Sequence, residues 1–552
     1  MSAHTWLVQF TKAINTGQRE SIEQLFHPNS FWRDYLPFGG TLQTIENRKD
    51  IGKFGQKFGP STGMNAVTFE GNIDDDEGFF SFLTNEGTGR GYIRTSSGLC
   101  DTLFTQLDHL KENATPMNAS AHPFVLIVGG GQGGLALGAQ LNDLGVSYLI
   151  VDKYPRVGDQ WRSRYESLVL HDPVWYDHLP FKPFPDDWPV FTPKDQMADW
   201  LETYVTELGI NIWTGSKLTG ANYDDKTGKW AATIERNNDV LTLEPTHIVM
   251  ALGLSGFPKV PKFHGADIFK GPQLHSSAFK LDKNYSDLDV VIIGANNSAH
   301  DIASDLVKVG ARPTLIQRSS SLVVRQDDYC EKVLGPLYSA QAFARGITTD
   351  KADILQASVP LRVMEQKHRE IWDGIRYDRK SYYKRLTDAG FTLDFAEDDT
   401  GLGMKYRRTA SGYYIDVGAA EMVMDGRISI KSGHGIASLS EHAVHLDDGS
   451  SLKADMLVYA TGYGDMTDWV AALINQDVAK KVGPCWGYGS ATKGDPGPWI
   501  GELRNMWVET AQQNLWFTGG NLSQARYYSR LLALQLAKKA RPPRTKTAFN
   551  ST

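Results

Sequence analysis

A chain of 552 residues is too long for one hydrophobic core and calls for two to four domains. Its 41% apolar and 22% charged residues are those of an ordinary globular protein, and a net charge of −7 supplies no basic field for nucleic acid. Three widely spaced cysteines without a CxxC disfavour a disulfide framework, a zinc site or a redox dithiol. The absence of a basic-then-apolar leader and of any long apolar run points to a cytoplasmic protein with no membrane contact.

Residues 1–115 read as an α+β unit. Trp6, Leu7, Phe10 and Ile14 have helical spacing, and strand-like runs at Ala66–Phe69 and Gly78–Leu83 follow between Gly- and Asp-rich turns. The polar, Pro-containing stretch that ends near 123 reads as a linker over 116–123.

At Phe124 the texture changes to a buried strand, a glycine-rich turn and a helix. In Gly129-x-Gly131-x-x-Gly134 the three glycines serve the tight turn, the approach of a pyrophosphate and close helix–strand packing. The helix N-terminus supplies amide donors for phosphate. Asp152 ends the next strand, 18 residues beyond Gly134. A carboxylate there accepts ribose hydroxyls and repels a 2′-phosphate, so this site prefers FAD or NAD to NADP.

A second copy of the pattern begins at Asp289. Gly294-x-Asn296-x-x-Ala299 departs from the glycine fingerprint, and Asn296 is expected to take a glycine-like turn at some cost. The following strand ends in Gln317-Arg318-Ser319. Arg318 can fork onto a 2′-phosphate and Ser319 can donate to it, which selects NADP; the plainer alternative for Arg318 is a solvated strand-end charge. Residues 325–425 are polar, mixed and partly helical in pattern, and the basic, Pro-rich end over 541–552 reads as a tail.

Between the two copies lies Phe269-x-Gly271-xxx-His275-xxx-Phe279, which resembles the identifying motif of the flavin-containing monooxygenase family. Gly158-Asp-Gln-Trp161, Met250-Ala-Leu-Gly253 with Pro258 and Pro261, Ala460-Thr461-Gly462-Tyr463 and Phe517-Thr-Gly-Gly-Asn521 resemble further family segments, so the resemblance covers 124 to about 538. Tyr165–Pro173 looks like the YUCCA-type branch. More loosely, the N-terminal unit resembles the cone-shaped ketosteroid-isomerase/polyketide-cyclase domains, with His27, Arg33 and Asp34 as pocket candidates.

The resemblance implies an α/β fold with two Rossmann-like domains, one for FAD and one for NADP, plus the N-terminal cone-like domain. The domains would span 124–262 and 455–540 (FAD) and 263–454 (NADP, with a lid or insert at about 325–425). FAD would be held by Gly129, Gly131, Gly134, Asp152, Gln160, Trp161, His171 and Asn521. NADPH would be held by Gly294, Asn296, Asn297, Ser298, Arg318 and Ser319.

The implied activity is insertion of one oxygen atom from O2 into a small organic substrate through a flavin 4a-hydroperoxide. N- or S-oxygenation leads. The alternatives are oxidative decarboxylation of an aryl α-keto acid and an NADPH oxidase releasing H2O2. His171 and His275 are the catalytic candidates. His171 takes the place of an Asn in mammalian-type relatives, and either moves a proton or packs against the flavin. His275 lies at an inter-domain connection, where positioning competes with proton transfer. Arg162 and Arg164 are the nearest candidates for an arginine of the Baeyer–Villiger kind. Tyr329, Tyr382, Tyr383 and Tyr413 either line the substrate pocket or belong to the core. The fusion and the family suggest a homodimer.

Overall fold

The computed structural model describes residues 2–73, 76–111, 122–254, 256–396, 398–409, 411–485 and 505–541. Most of the linker and nearly all of the tail expected from sequence lie outside these residues.

Three helices, Ala3–Thr16, Arg19–Glu23 and Arg48–Thr62, pack against one face of a six-stranded sheet. Its strand order is Leu42–Glu46, Phe26–Tyr35, Leu99–Leu110, Gly87–Ser96, Glu77–Leu83, Asn65–Asn72. Phe26–Tyr35 and Leu99–Leu110 run parallel, and the other neighbours antiparallel. The helical spacing at the N-terminus buries Trp6, Leu7, Phe10 and Ile14, and Ser2 caps the first helix by accepting from Thr5 N.

The opposite face of this sheet is not free. Tyr35, Phe79, Tyr92, Phe104 and Leu107 share a core with the first dinucleotide unit. Polar contacts secure the junction. Arg90 bridges Asp108 and Asp350, Tyr527 Oη donates to Gln106 Oε1 at 2.7 Å, and Arg530 lies 3.2 Å from Asp108.

The first dinucleotide unit is a five-stranded parallel sheet in the order Leu515–Phe517, His247–Met250, Val125–Val128, Tyr148–Val151, Ile212–Trp213. The second is another five-stranded parallel sheet, in the order Gln273–His275, Met456–Tyr459, Asp289–Ile293, Arg312–Gln317, Ser429–Ser432. Each carries a three-stranded antiparallel sheet: Ser216–Asp224, Lys229–Arg236 and Asp239–Leu243 ahead of His247–Met250 in the first, Ile436–Ser440, Ala443–Leu446 and Ser451–Lys453 ahead of Met456–Tyr459 in the second. The boundary expected at 455 is thereby corrected. Met456–Tyr459 is a central strand of the second sheet, and the chain crosses back to the first unit only after it. An apolar buried strand reads the same in either sheet, so the sequence could not assign it.

Between Gln317 and Ser429 an insert pairs Leu322–Arg325 with Tyr413–Asp416 and carries, among others, the helices Thr349–Ser358, Leu361–Asp378 and Gly401–Thr409.

Candidate functional site

The first crevice opens where Val125–Val128 turns into the helix Gln132–Asp143. Gly129 has φ +114°, and a Cβ there would overlap the carbonyl oxygen of Ala251. Gly134 packs so closely on the Gly129 carbonyl that no side chain fits. Gly131 differs: its backbone is extended, and a Cβ there would meet nothing closer than Gln160 Nε2 at 3.5 Å. The turn therefore leaves an open cradle before the helix N-terminus.

Asp152 stands beside it and accepts from Gly130 N at 2.5 Å and Tyr154 N at 2.8 Å. Burial raises this carboxyl above the usual carboxylate range, against the pull of those two bonds. Two of its lone pairs hold the turn, and the others remain for a ligand. Gln160 Nε2, Trp161 Nε1 and Thr518 Oγ1 are buried without a hydrogen-bond partner. Orphaned donors around a glycine cradle fit the phosphates and ring edge of a bound dinucleotide. Asn521 caps the helix Leu522–Ala540, accepting from Gln524 N at 2.9 Å, and its amide donates to Tyr176 Oη at 3.2 Å.

The second crevice repeats the turn. Gly294 has φ +129°, and a Cβ would overlap the Ala460 carbonyl. Asn296 has φ −108°, so the costly glycine-like conformation expected for it does not occur. Only the first position of the fingerprint needs a positive φ here; the middle one needs clearance. Asn296 Oδ1 accepts from Ser321 Oγ, and Asn297 Oδ1 accepts from Ile415 N, so both amides tie the turn to neighbouring chain. Ser298 sits in the first turn of the helix Asn297–Lys308, with Ala299 fully buried behind it. Gln317 is buried and holds Thr392 and Ser432, whereas Arg318 and Ser319 are exposed at the strand end. No acid stands where Asp152 stands in the first unit.

The two histidines occupy different settings. His275 Nδ1 accepts from Ser277 N at 3.2 Å, so Nε2 carries the proton and donates to Gly462 O at 3.0 Å. Burial lowers its pKa, and neither nitrogen is left for proton transfer. It fastens the edge strand of the second sheet to the Ala460–Tyr463 turn. His171 Nε2 lies 3.9 Å from Asp301 Oδ2, and burial lowers its pKa against that charge. It lines a cleft of about 300 Å³ under the helix Asn297–Lys308, with Asp301, Ser304 and Lys308.

Arg162 is spent on Asp159, Asp199 and Glu202. Arg164 Nε is buried without a partner. His27 bonds Ser96 O, Arg33 donates to Ala357 O and Val359 O, and Asp34 accepts from Phe38 N, Gly39 N and Thr105 Oγ1. These three do not converge on a pocket inside the N-terminal unit.

The larger cavity, about 500 Å³, lies between the units. Asp172, Tyr176 and Asn521 come from the first unit, Tyr329, Tyr406 and Tyr413 from the insert, and Arg33, Tyr92 and Thr102 from the six-stranded sheet. Tyr329 and Tyr413 thus line it, while Tyr382 donates to Asp416 and Tyr383 to Val323 O within the core.

Sequence reasoning passed over Asp172. It adjoins His171 but faces the other way, into the large cavity, and burial raises its carboxyl. Asp177 is raised too, by burial and then by the charge of Asp172. Its one sequence signal was a carboxylate amid the apolar and aromatic residues of 168–176.

A family model described as pyridine nucleotide-disulphide oxidoreductase matches residues 126–372. Among solved structures, cyclohexanone monooxygenase with bound ε-caprolactone superposes with a TM-score of 0.54 at 17% identity, covering 76% of this chain and 87% of that one. The flavin-containing monooxygenase of Stenotrophomonas maltophilia gives 0.50 at 16%, covering 76% and 98%. This is the two-dinucleotide fold of the flavin monooxygenases. The fold carries two such crevices, each built on a glycine turn ahead of a helix. Curated relatives include the probable indole-3-pyruvate monooxygenase YUCCA3 of Arabidopsis thaliana, 27% identical over 62% of this chain and 74% of that protein. Indole-3-pyruvate monooxygenase YUCCA1 of Oryza sativa subsp. japonica is 25% identical over 63% and 79%. These sequence relatives and structural neighbours are all monooxygenases. The matched region of the family model begins after the six-stranded unit. No helix among the described residues is long and apolar enough to cross a membrane.

Proposed function

We propose that the chain is an NADPH-dependent FAD monooxygenase that transfers one oxygen atom from O2 to the nitrogen or sulfur of a small organic molecule. The overall reaction takes NADPH, a proton, O2 and substrate to NADP⁺, water and oxygenated substrate. The observation that carries this reading is the cavity of about 500 Å³ whose floor is Asp172 and Asn521, beside the crevice of the first unit. A cavity of this size lined by aromatic rings suits a small apolar molecule.

FAD supplies the oxygen chemistry when bound. The chain positions it. The backbone cradle of Gly129, Gly131 and Gly134 would take the pyrophosphate and Asp152 the ribose, Gln160 and Trp161 would offer their unpaired N–H groups, and Asn521 fixes the start of the helix Leu522–Ala540. Gly294, Asn296, Asn297 and Ser298 form the second cradle, with Arg318 and Ser319 on the 2′-phosphate. The N-terminal unit supplies one side of the cavity through Arg33, Tyr92 and Thr102, and so narrows the access of water to a reactive oxygen donor. We read that unit as the cone-like domain expected from its sequence, acting as a wall of the substrate site, and the assembled enzyme as a homodimer.

A second reading, oxidative decarboxylation of an α-keto acid, is favoured by the names of the plant relatives. The test is turnover of benzyl methyl sulfide, an amine and an aryl α-keto acid under isotopically labelled O2, following NADPH, H2O2 and product. Labelled sulfoxide or N-oxide, one per NADPH, is the expected result. Release of CO2 from the keto acid would establish the second reading. Recovery of all the NADPH electrons as H2O2 would sink both.

A further inference from the structure

We infer that Asp172, with the rings of Tyr176, Tyr329 and Tyr413, is the binding site for the ammonium group of an amine substrate. The inference rests on the monooxygenase reading above and narrows its substrate class. The carboxyl of Asp172 faces the cavity, and among the described residues nothing donates a hydrogen bond to it and no lysine or arginine pairs with it. Arg33, Arg94, Lys367 and Arg407 line the same cavity, with Arg94 donating to Thr102 Oγ1 and Arg407 to the carbonyl of Gly403. Arg33 is spent on the carbonyls of Ala357 and Val359, and Arg526 on Asp353 and the carbonyl of Tyr176.

Asp172 and Asp177 lie close enough that a charge on one opposes ionisation of the other, and Arg526 offsets this on the side of Asp177. A buried carboxylate without a counter-charge is costly, and a ligand cation placed beside it removes the cost. The three tyrosines all line the same cavity and all feel the charge of Asp172. Aromatic rings around a carboxylate are the chemistry that recognises an ammonium ion. An ionised Asp172 offers a neutral sulfide no charge to pair with. An amine reacts with an oxygen donor through its lone pair, and Asp172 is the acceptor the site supplies for the proton the ammonium must lose.

The test uses the FAD-loaded full chain and three probes of similar size: phenethylamine, benzyl methyl sulfide and hydrocinnamate. Binding is read from the change in the flavin absorption spectrum on titration. Asp172→Asn keeps the shape and removes the charge, so the phenethylamine Kd is expected to rise at least about tenfold while the sulfide Kd moves less than about twofold. Hydrocinnamate should bind no worse to the variant than to the wild type. Asp172→Glu, which restores the charge, should recover part of the amine preference. Equal weakening of amine and sulfide, no weakening of either, or no saturable binding of phenethylamine to the wild type would overturn the ammonium site. Sulfoxide formation together with amine binding that ignores Asp172 sinks this inference alone. Amine binding that depends on Asp172, with every NADPH ending as H2O2, sinks the monooxygenase reading alone.

Discussion

The two glycine-turn crevices share a backbone turn and differ at the end of the strand that follows it. In both, the first glycine has a positive φ and lies against a carbonyl of a neighbouring strand end, Ala251 in one and Ala460 in the other. The middle residue is extended in both, Gly131 in the first and Asn296 in the second. The first turn is then braced by a half-buried acid, Asp152, while the second strand ends in exposed Arg318. The shared part is a requirement of the fold, and the differing part is where the proposed choice of ligand would reside.

The largest effect tests that division within one turn. Gly129→Ala puts a methyl group into the Ala251 carbonyl at a φ that alanine resists, so soluble protein should be lost or its Tm lowered by several degrees. Gly131→Ala meets nothing closer than 3.5 Å, so the fold should survive with Tm unchanged while FAD content drops, because the methyl occupies the cradle. Equal loss of stability in both variants would mean that the cradle is structural.

Next comes Asp152→Ala. It removes the ribose acceptor and also the bond to Gly130 N, and purified protein should carry little flavin, with FAD affinity lowered about a hundredfold. Full flavin occupancy would remove Asp152 from the site. Arg318→Ala is milder. A charge-assisted contact to a 2′-phosphate is worth about 2 kcal/mol, so the KM for NADPH should rise ten- to thirtyfold with the KM for NADH unchanged. A parallel rise in both would make Arg318 a solvated strand-end charge.

The contrast also shows what a sequence can carry. Both turns are contiguous segments in which strand, glycine and helix follow one another, so their place and order were readable from residues 124–152 and 289–319. The cavity is another matter. Arg33, Asp172, Tyr413 and Asn521 meet there from four distant stretches of chain, and no periodicity joins them. His171 and Asp172 illustrate the limit most closely. Both sit in a segment with no regular secondary structure, so nothing in the spacing says which faces the helix Asn297–Lys308 and which the cavity. Arg33 was readable as a buried-pocket candidate, but its partners are carbonyls at 357 and 359, more than three hundred residues away.

The smallest expected effect concerns the joint between the crevices. His275 is neutral in the folded protein because Ser277 N donates to its Nδ1 and burial opposes a charge. Its folded pKa therefore lies below the value near 6.5 that it has when unfolded, and the unfolded chain takes up more protons between the two. The stability that His275 contributes is complete above pH ~6.5 and is lost as pH falls through its folded pKa. His275→Gln can still donate to Gly462 O but has no proton to gain. Wild type should exceed the variant in stability at pH 7.5, and the gap should narrow towards pH 5 by less than about 1 kcal/mol, measured by urea unfolding at each pH. The edge strand of the second sheet would then be held to the Ala460–Tyr463 turn by a neutral hydrogen bond, and a gap that widens in acid would show that the histidine is charged there and holds the joint in some other way.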